Sequence, residues 1–300
     1  MTDQPSNQHR CGFVAVAGRP NVGKSTLVNR VVGHELCIVT PKSQTTRNRI
    51  AAIHTLPDAQ MILLDTPGIH EAGTPLNRAM VAAAVKTLAD ADVGLFITVP
   101  SEKIHEDDRR VMELLEASGI PSVLAINKID TVEPASLLPV IDAYSRAHHF
   151  EEIIPVSALH GVGVDELVRI LVRLLPPGPP LYPEDDASDL PVRFFVAEII
   201  REQVTKLTGQ EIPYKTAVVV EAFKERQRPL LIQADIHIER GSQKKILIGK
   251  GGEMIKRIGI AARKKIEEFL ERPVRLELFV KVTPKWTRDP DKLKEFGYEL

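Results

Sequence analysis

Gly18-Arg19-Pro20-Asn21-Val22-Gly23-Lys24-Ser25 follows directly on the apolar run Phe13-Val14-Ala15-Val16-Ala17. An apolar strand, a glycine-bounded loop and then Gly-Lys-Ser form the G-x-x-x-x-G-K-[ST] phosphate loop in its strand-to-helix setting. The glycines let the backbone wrap around a phosphate with its N–H groups pointing inward. Lys24 is placed to reach the β- and γ-phosphates, and the Ser25 hydroxyl to ligate Mg²⁺. The helix that begins there, with Thr26 in its first turn, adds the positive end of its dipole.

The segments 61–64, 93–97, 122–126 and 152–156 read as further strands buried on both faces. Helical patterns such as 109–117 and 165–175 separate them. Such alternation predicts an α/β fold with a parallel sheet covered by helices on both faces. Ligands then bind beyond the carboxyl ends of the strands.

The other informative residues fall at those ends. Asp65-Thr66-Pro67-Gly68 closes the strand at 61–64, where Asp65 can hold a Mg²⁺-bound water and the Gly68 N–H can sense a γ-phosphate. Asn127-Lys128-Ile129-Asp130 follows the strand ending at Ile126. The Asp130 carboxylate can accept from guanine N1–H and the 2-amino group. Adenine offers neither donor there, so a buried Asp130 left unpaired would reject ATP. Asn127 would support the purine's other edge or the loop, the Lys128 stem would cover the ring, and Ser157-Ala158 would close over the base. Between the phosphate loop and Asp65 lies Pro41-Lys42-Ser43-Gln44-Thr45-Thr46-Arg47. A mobile loop in this interval supplies a Thr to Mg²⁺ when γ-phosphate is present. The residues alone leave open whether Thr45 or Thr46 does so, or whether both begin the next strand.

The stretch Pro176-Pro177-Gly178-Pro179-Pro180 divides the chain, because proline removes donors and fixes φ. Expected boundaries are a tail at 1–11, a nucleotide-binding domain at 12–176, a linker at 177–191, a second domain at 192–285 and a tail at 286–300. The net charge of −1 conceals an asymmetry. From Pro191 onward 23 Lys and Arg face 16 Asp and Glu, a balance of +7, against −8 before it. Only the second half is therefore suited to a polyanion. Two cysteines, Cys11 and Cys37, give neither a disulfide framework nor metal-ligand spacing, as expected of a cytoplasmic protein. No stretch is apolar enough to predict a transmembrane helix.

The second half begins with a helical pattern at 193–207, then predicted strands at 217–223 and 230–238. Ile246-Leu247-Ile248-Gly249-Lys250-Gly251-Gly252 leads into a helix with Ile255, Ile258, Ala262, Ile266 and Phe269 on one face. A last strand alternates Val274, Leu276, Leu278, Val280 and Val282. The order α-β-β-α-α-β, with GxxG between the last two helices, resembles a type II KH domain, an RNA-clamping module. At Gly249–Gly252 the missing side chains let a sugar-phosphate backbone approach. Lys244, Lys245, Lys250, Lys256, Arg257, Arg263, Lys264 and Lys265 supply charge. Ile248, Ile255 and Ile258 are candidates for the floor of a base-binding groove.

The phosphate loop, Thr45-Thr46-Arg47, Asp65–Gly68, Asn127–Asp130 and Ser157-Ala158 resemble the five G motifs of translation-factor-related, Ras-like P-loop GTPases. Within them the chain looks like the Era, EngA and MnmE group. That resemblance favours Thr46 as the switch residue on Mg²⁺, with Lys24, Thr46 and Gly68 as the catalytic set around GTP or GDP. It also implies a K⁺ held by Asn21. Ile69 departs from the Ras pattern, which places a water-orienting Gln there, so slow intrinsic hydrolysis is expected. It also gives some footing to a rival, a non-catalytic RNA-binding adaptor. A GTPase of this group joined to a smaller α+β type II KH domain is the Era architecture. The family implies binding near the 3′ end of 16S ribosomal RNA during 30S assembly, in a GTP-dependent manner, with loose membrane association in some members. RNA, not DNA, is the expected polyanion, and a monomer is expected.

Overall fold

Strands that are apolar on both faces can be stable only between two helical layers. The computed structural model, which describes residues 9–40, 42, 46–69, 75–209 and 211–298, has that arrangement in its first unit. The elements run β1 (Arg10–Ala17), α1 (Lys24–Val32), β2 (Ile50–Leu56), β3 (Ala59–Asp65), α2 (Pro75–Ala89), β4 (Val93–Thr98) and α3 (Glu106–Ser118). They continue with β5 (Ser122–Ile126), α4 (Leu137–Ala147), β6 (Glu152–Pro155) and α5 (Val164–Leu174). The sheet has the order β2-β3-β1-β4-β5-β6, so the chain builds outward on both sides of β1. Every residue of β3, β4 and β5 is buried. On α5, Val164, Leu167, Ile170 and Leu171 turn inward at helical spacing.

The sheet is not wholly parallel. β2, for which the sequence sets no bounds, pairs antiparallel with β3 from Ile50↔Asp65 to Leu56↔Ala59. Its Ile-Ala-Ala-Ile run shows no alternation, so it carries no period to read. The Pro-rich segment, expected as a linker, lies along this same unit. Cys11 N donates to Pro176 O at 3.0 Å and Gly178 N to His9 O at 2.9 Å. The buried Gln60 side chain accepts from Leu181 N and Tyr182 N at 2.8 and 2.9 Å and donates to Tyr182 O at 2.9 Å. Ile53 N donates to Ala187 O at 2.9 Å. Proline removes some donors, but the remaining N–H groups still need acceptors, and the sheet edge and Gln60 provide them.

The second unit is built on α6 (Val192–Leu207), β7 (Ala217–Lys224), β8 (Leu230–Ile238), α7 (Gly241–Ile248), α8 (Glu253–Leu270), β9 (Val274–Val282) and α9 (Pro290–Glu295). β8 pairs antiparallel with β7 and parallel with β9. Val196, Ile199, Ile200 and Val204 of α6 and Ile258, Ala262 and Ile266 of α8 bury against β8. The expected tail from residue 286 is instead folded as far as it is described. Trp286 is fully buried, donates to Lys215 O at 3.0 Å and stacks on Tyr298. A lone Trp among charged residues has no period, which is why the sequence did not reveal this packing.

Candidate nucleotide site and glycine loop

The parallel register brings the carboxyl ends of β1, β3, β4, β5 and β6 to one rim, and four of the expected motifs start there. After β1 the loop turns back on itself. Lys24 is buried, and its Nζ donates to the carbonyls of Gly18 and Arg19 at 3.0 and 3.1 Å. Burial lowers the Lys24 pKa to about 8, against the pull of the Asp65 and Asp108 carboxylates. Val22 is buried, Thr26 is half-buried in the first turn of α1, and Asn21 is exposed with φ 64°. Pro20 stands against Gly68, where a Cβ would come within 2.9 Å of the Pro20 nitrogen. The loop after β3 therefore touches the phosphate loop, and only glycine allows it.

Ser25, Thr46 and Asp65 converge. Ser25 Oγ lies 3.0 Å from Thr46 Oγ1, and both hydroxyls donate to Asp65 Oδ2, at 2.9 and 3.1 Å. Asp65 Oδ1 is buried without a hydrogen bond among the described residues, and burial raises the carboxyl's pKa while Lys24 opposes the rise. Two hydroxyls and a carboxylate are hard oxygen donors of the kind Mg²⁺ takes, and an orphaned buried carboxylate oxygen fits a cation beside it. Among the described residues no three His, Cys, Asp or Glu cluster as a metal site. A Mg²⁺ here would need phosphate oxygens and water to complete its shell. Thr45 lies outside the described residues; Thr46 precedes β2 by a few residues and does not begin it. Thr66 Oγ1 donates to Val16 O at 2.8 Å, fixing the loop, with Pro67 buried after it. Ile69 faces the core, and its N–H donates to Gly18 O at 3.2 Å.

On the base side, Asn127 does not reach toward a purine edge. Its amide bridges Val22 O and Ala158 N, so of the two expected roles it takes the loop-supporting one. Lys128, in the left-handed region at φ 62°, donates from Nζ to Asn21 O at 2.7 Å. Asp130 is exposed, not buried as selection against adenine was expected to require. Ser157 Oγ donates to it at 2.5 Å, and this bond, with His160 and Lys128 nearby, holds its pKa below the usual carboxylate range. An ionised carboxylate aimed by a serine can still accept two hydrogen bonds from one partner. Two supports were missed. Arg30 of α1 donates to Ala158 O at 3.1 Å, and Asn29 is bonded both ways to the Cys37 backbone at 2.8 and 2.9 Å. Both are single polar residues on a helix face, which sequence alone cannot distinguish from a solvated one.

In the second unit Gly249, Gly251 and Gly252 adopt φ of 75°, 61° and 82° between α7 and α8. At Gly249 a Cβ would meet the Met254 backbone at 2.8 Å, whereas nothing lies within 4 Å of Gly251 or Gly252. Lys245, Lys250, Lys256 and Arg257 are exposed around the loop, and Lys244, Ile248 and Ile255 are half-buried. Two expectations fail here. Ile258 is fully buried in the core and cannot floor a groove. Lys265 is spent on Glu202 at 2.8 Å, whereas Arg263 and Lys264 stay exposed, with only long contacts to Glu267 and Glu268. Ile246, half-exposed beside the loop, was not singled out.

A phosphate loop, a hydroxyl–carboxylate cluster and a base-side Asn-Lys-x-Asp on one sheet rim define a P-loop GTPase domain, here joined to a KH domain. The profile of the 50S ribosome-binding GTPase family matches residues 13–128, and that of the KH domain matches residues 211–287. GTPase Era of Geotalea uraniireducens is 52% identical over 97% of this chain and 99% of its own length. GTPase Era of Staphylococcus haemolyticus is 44% identical over 97% and 98%. Two solved structures each superpose with a TM-score of 0.94 at 42% identity, over 97% of this chain and all of theirs. One is a variant of Aquifex aeolicus Era bound to GDP·AlF4⁻; the other is Era in complex with MgGDPNP and nucleotides 1506–1542 of 16S ribosomal RNA. The chain belongs to the Era GTPase family.

Proposed function

We propose that this chain binds GTP and GDP with Mg²⁺, hydrolyses GTP slowly, and uses its nucleotide state to gate binding of single-stranded RNA at Gly249–Gly252. The observation that carries the reading is the convergence of Ser25, Thr46 and Asp65 beside Lys24. One of the three, Thr46, follows a switch segment that can respond to a γ-phosphate. Bound Mg²⁺ would neutralise charge on the β- and γ-phosphates. Ser25 and Thr46 would hold it directly and Asp65 through water, Lys24 would meet the phosphates, and the Gly68 N–H would sense the terminal one. Asp130, aimed by Ser157, would choose guanine.

The proposed RNA is the 3′ end of 16S ribosomal RNA, met during assembly of the 30S subunit. Support comes from the ligands of the 42%-identical Era structure and from the exposed Lys245, Lys250, Lys256 and Arg257 around the loop. The proposed location is the cytoplasm, with weak attachment to the inner membrane face as a further proposal. No described helix is long and apolar enough to cross a membrane. Asn21, at the exposed turn of the phosphate loop, is the residue that would ligate a stimulating K⁺. Phosphate release from GTP or ATP, in K⁺ or Na⁺, with and without an rRNA 3′-end oligonucleotide, tests the reading. Release from GTP alone is expected, faster in K⁺. Equal rates in K⁺ and Na⁺ would remove the role of Asn21, and no release under any condition would leave a non-catalytic RNA adaptor.

A further inference from the structure

Asp108 lies on α3, far in sequence from every nucleotide motif, and is completely buried. A buried carboxylate is costly unless donors meet it, and here three converge on Oδ2, while Oδ1 is buried without a hydrogen bond among the described residues. Arg19 Nε donates to Asp108 Oδ2 at 3.2 Å, Thr98 Oγ1 at 2.9 Å and Tyr144 OH at 2.9 Å. The Thr98 and Tyr144 hydroxyls are themselves 2.9 Å apart, closing a triangle around that oxygen. Arg19 belongs to the phosphate loop, Thr98 ends β4, and Tyr144 rides on α4. The Asp108 carboxylate thus ties the loop to three elements of the scaffold.

Two further contacts give the cluster its direction. Arg19's own carbonyl accepts from Lys24 Nζ at 3.1 Å, so whatever fixes Arg19 also fixes the acceptor of the phosphate-binding lysine. Thr98's carbonyl accepts from Asn127 N at 2.8 Å, so the same residue that holds Asp108 also holds the start of the base-side loop. A loop whose N–H groups must all point inward is not a low-energy chain conformation, and holding it in advance removes a cost from ligand binding.

We propose that Asp108 is a positioning residue of the nucleotide site, which acts through Arg19 to hold the phosphate loop in its phosphate-accepting shape. Thr98 and Tyr144 serve as the two hydroxyls that orient the carboxylate. The inference rests on the guanine-nucleotide reading above. A role confined to stability would lower the melting temperature and leave GDP affinity of the folded protein intact. A positioning role lowers the GDP affinity of the folded protein as well.

The test uses the full chain and labelled GDP with Mg²⁺, and compares the parent with Asp108→Asn, Arg19→Met, the double variant and Tyr144→Phe. Asp108→Asn and Arg19→Met are each expected to weaken GDP binding about tenfold, the scale of one lost hydrogen bond to a charged group. The double variant is expected to be no weaker than either single one, because both remove the same contact. Tyr144→Phe, which leaves Arg19 and Thr98 in place, is expected to lose less. Unchanged GDP affinity in Arg19→Met, or losses that add in the double variant, would overturn the proposal. Arg19 is partly exposed, so that arm stands even where Asp108→Asn does not fold. If the parent itself fails to bind GDP, the nucleotide reading falls, and that result is distinct from failure of the Asp108 inference.

Discussion

Asn127 donates from its side-chain amide to Val22 O at 2.8 Å and accepts from Ala158 N at 2.9 Å, so one residue joins the phosphate loop to the base-side loops. All three groups are buried. Asn127→Ala strands a carbonyl and an N–H, each at about 1–3 kcal/mol. Both GDP and GTP should bind more weakly and by similar factors, with a lower melting temperature. Calorimetric titration beside thermal melts checks this; loss of GTP affinity alone would point to a switch role instead.

Asp130 is aimed by Ser157 and carries its charge well into the acid range, because its pKa is lowered chiefly by that hydrogen bond. Asp130→Asn replaces a double acceptor with a group that also donates. GDP affinity should fall by about a hundredfold or more, as two hydrogen bonds to a charged group are lost. Xanthosine diphosphate, with an acceptor at the 2-position, should bind the variant better than GDP. Competition between labelled GDP and XDP decides the matter, and unchanged GDP affinity would remove Asp130 from the site.

Thr46 and Ser25 share Asp65 Oδ2, but only Thr46 follows the segment expected to move. Thr46→Ala should therefore leave GDP affinity within about threefold while lowering single-turnover GTP hydrolysis by about a hundredfold or more. Normal turnover in that variant would direct attention to Thr45.

Gly251 has open space around it and φ of 61°, a conformation that Asp tolerates better than most residues. Gly251→Asp should cost about 1 kcal/mol of stability, yet RNA affinity should fall steeply as a carboxylate meets phosphate. In the parent, a non-hydrolysable GTP analogue should tighten RNA binding over GDP by about 1–3 kcal/mol, and RNA must tighten the analogue equally. Filter binding in both nucleotide states measures the factor. Equal affinities would mean that the nucleotide does not gate the RNA.

Trp286 fills a closed position among Phe296, Tyr298 and the Lys215 carbonyl. Trp286→Ala should destabilise the KH unit by about 3–5 kcal/mol. A calorimetric scan should show that loss while GDP affinity stays unchanged.

The residues legible beforehand were those whose chemistry is local in sequence. The phosphate loop, Asp65–Gly68 and Asn127–Asp130 each carry a spacing, and β3 to β5 each carry an uninterrupted apolar run. What escaped was decided across the fold. β2 has no alternation to reveal its pairing with β3. Ile258 and Ile255 look alike on a helical face, yet only the first is fully buried. Asp108 sits in an acidic first turn, where Glu106 and Asp107 are ordinary dipole partners, and nothing in that run marks the third carboxylate as buried against Arg19.

The bonds from Gln60 to Leu181 and Tyr182 bear on how the nucleotide domain can be separated from the rest of the chain. A fragment cut at the end of α5 would keep every nucleotide motif and lose the segment at 176–188 that bonds to Cys11, Ile53 and Gln60. Gln60 would lose three of its hydrogen bonds at once. Cys11, Ala51, Ile53, Ile62 and Leu64 would lose the Tyr182 ring that packs on them. An apolar face beside an uncovered strand edge invites association between copies. A fragment extended through Ser188 keeps both covers, so solubility should separate the two cuts where sequence motifs cannot.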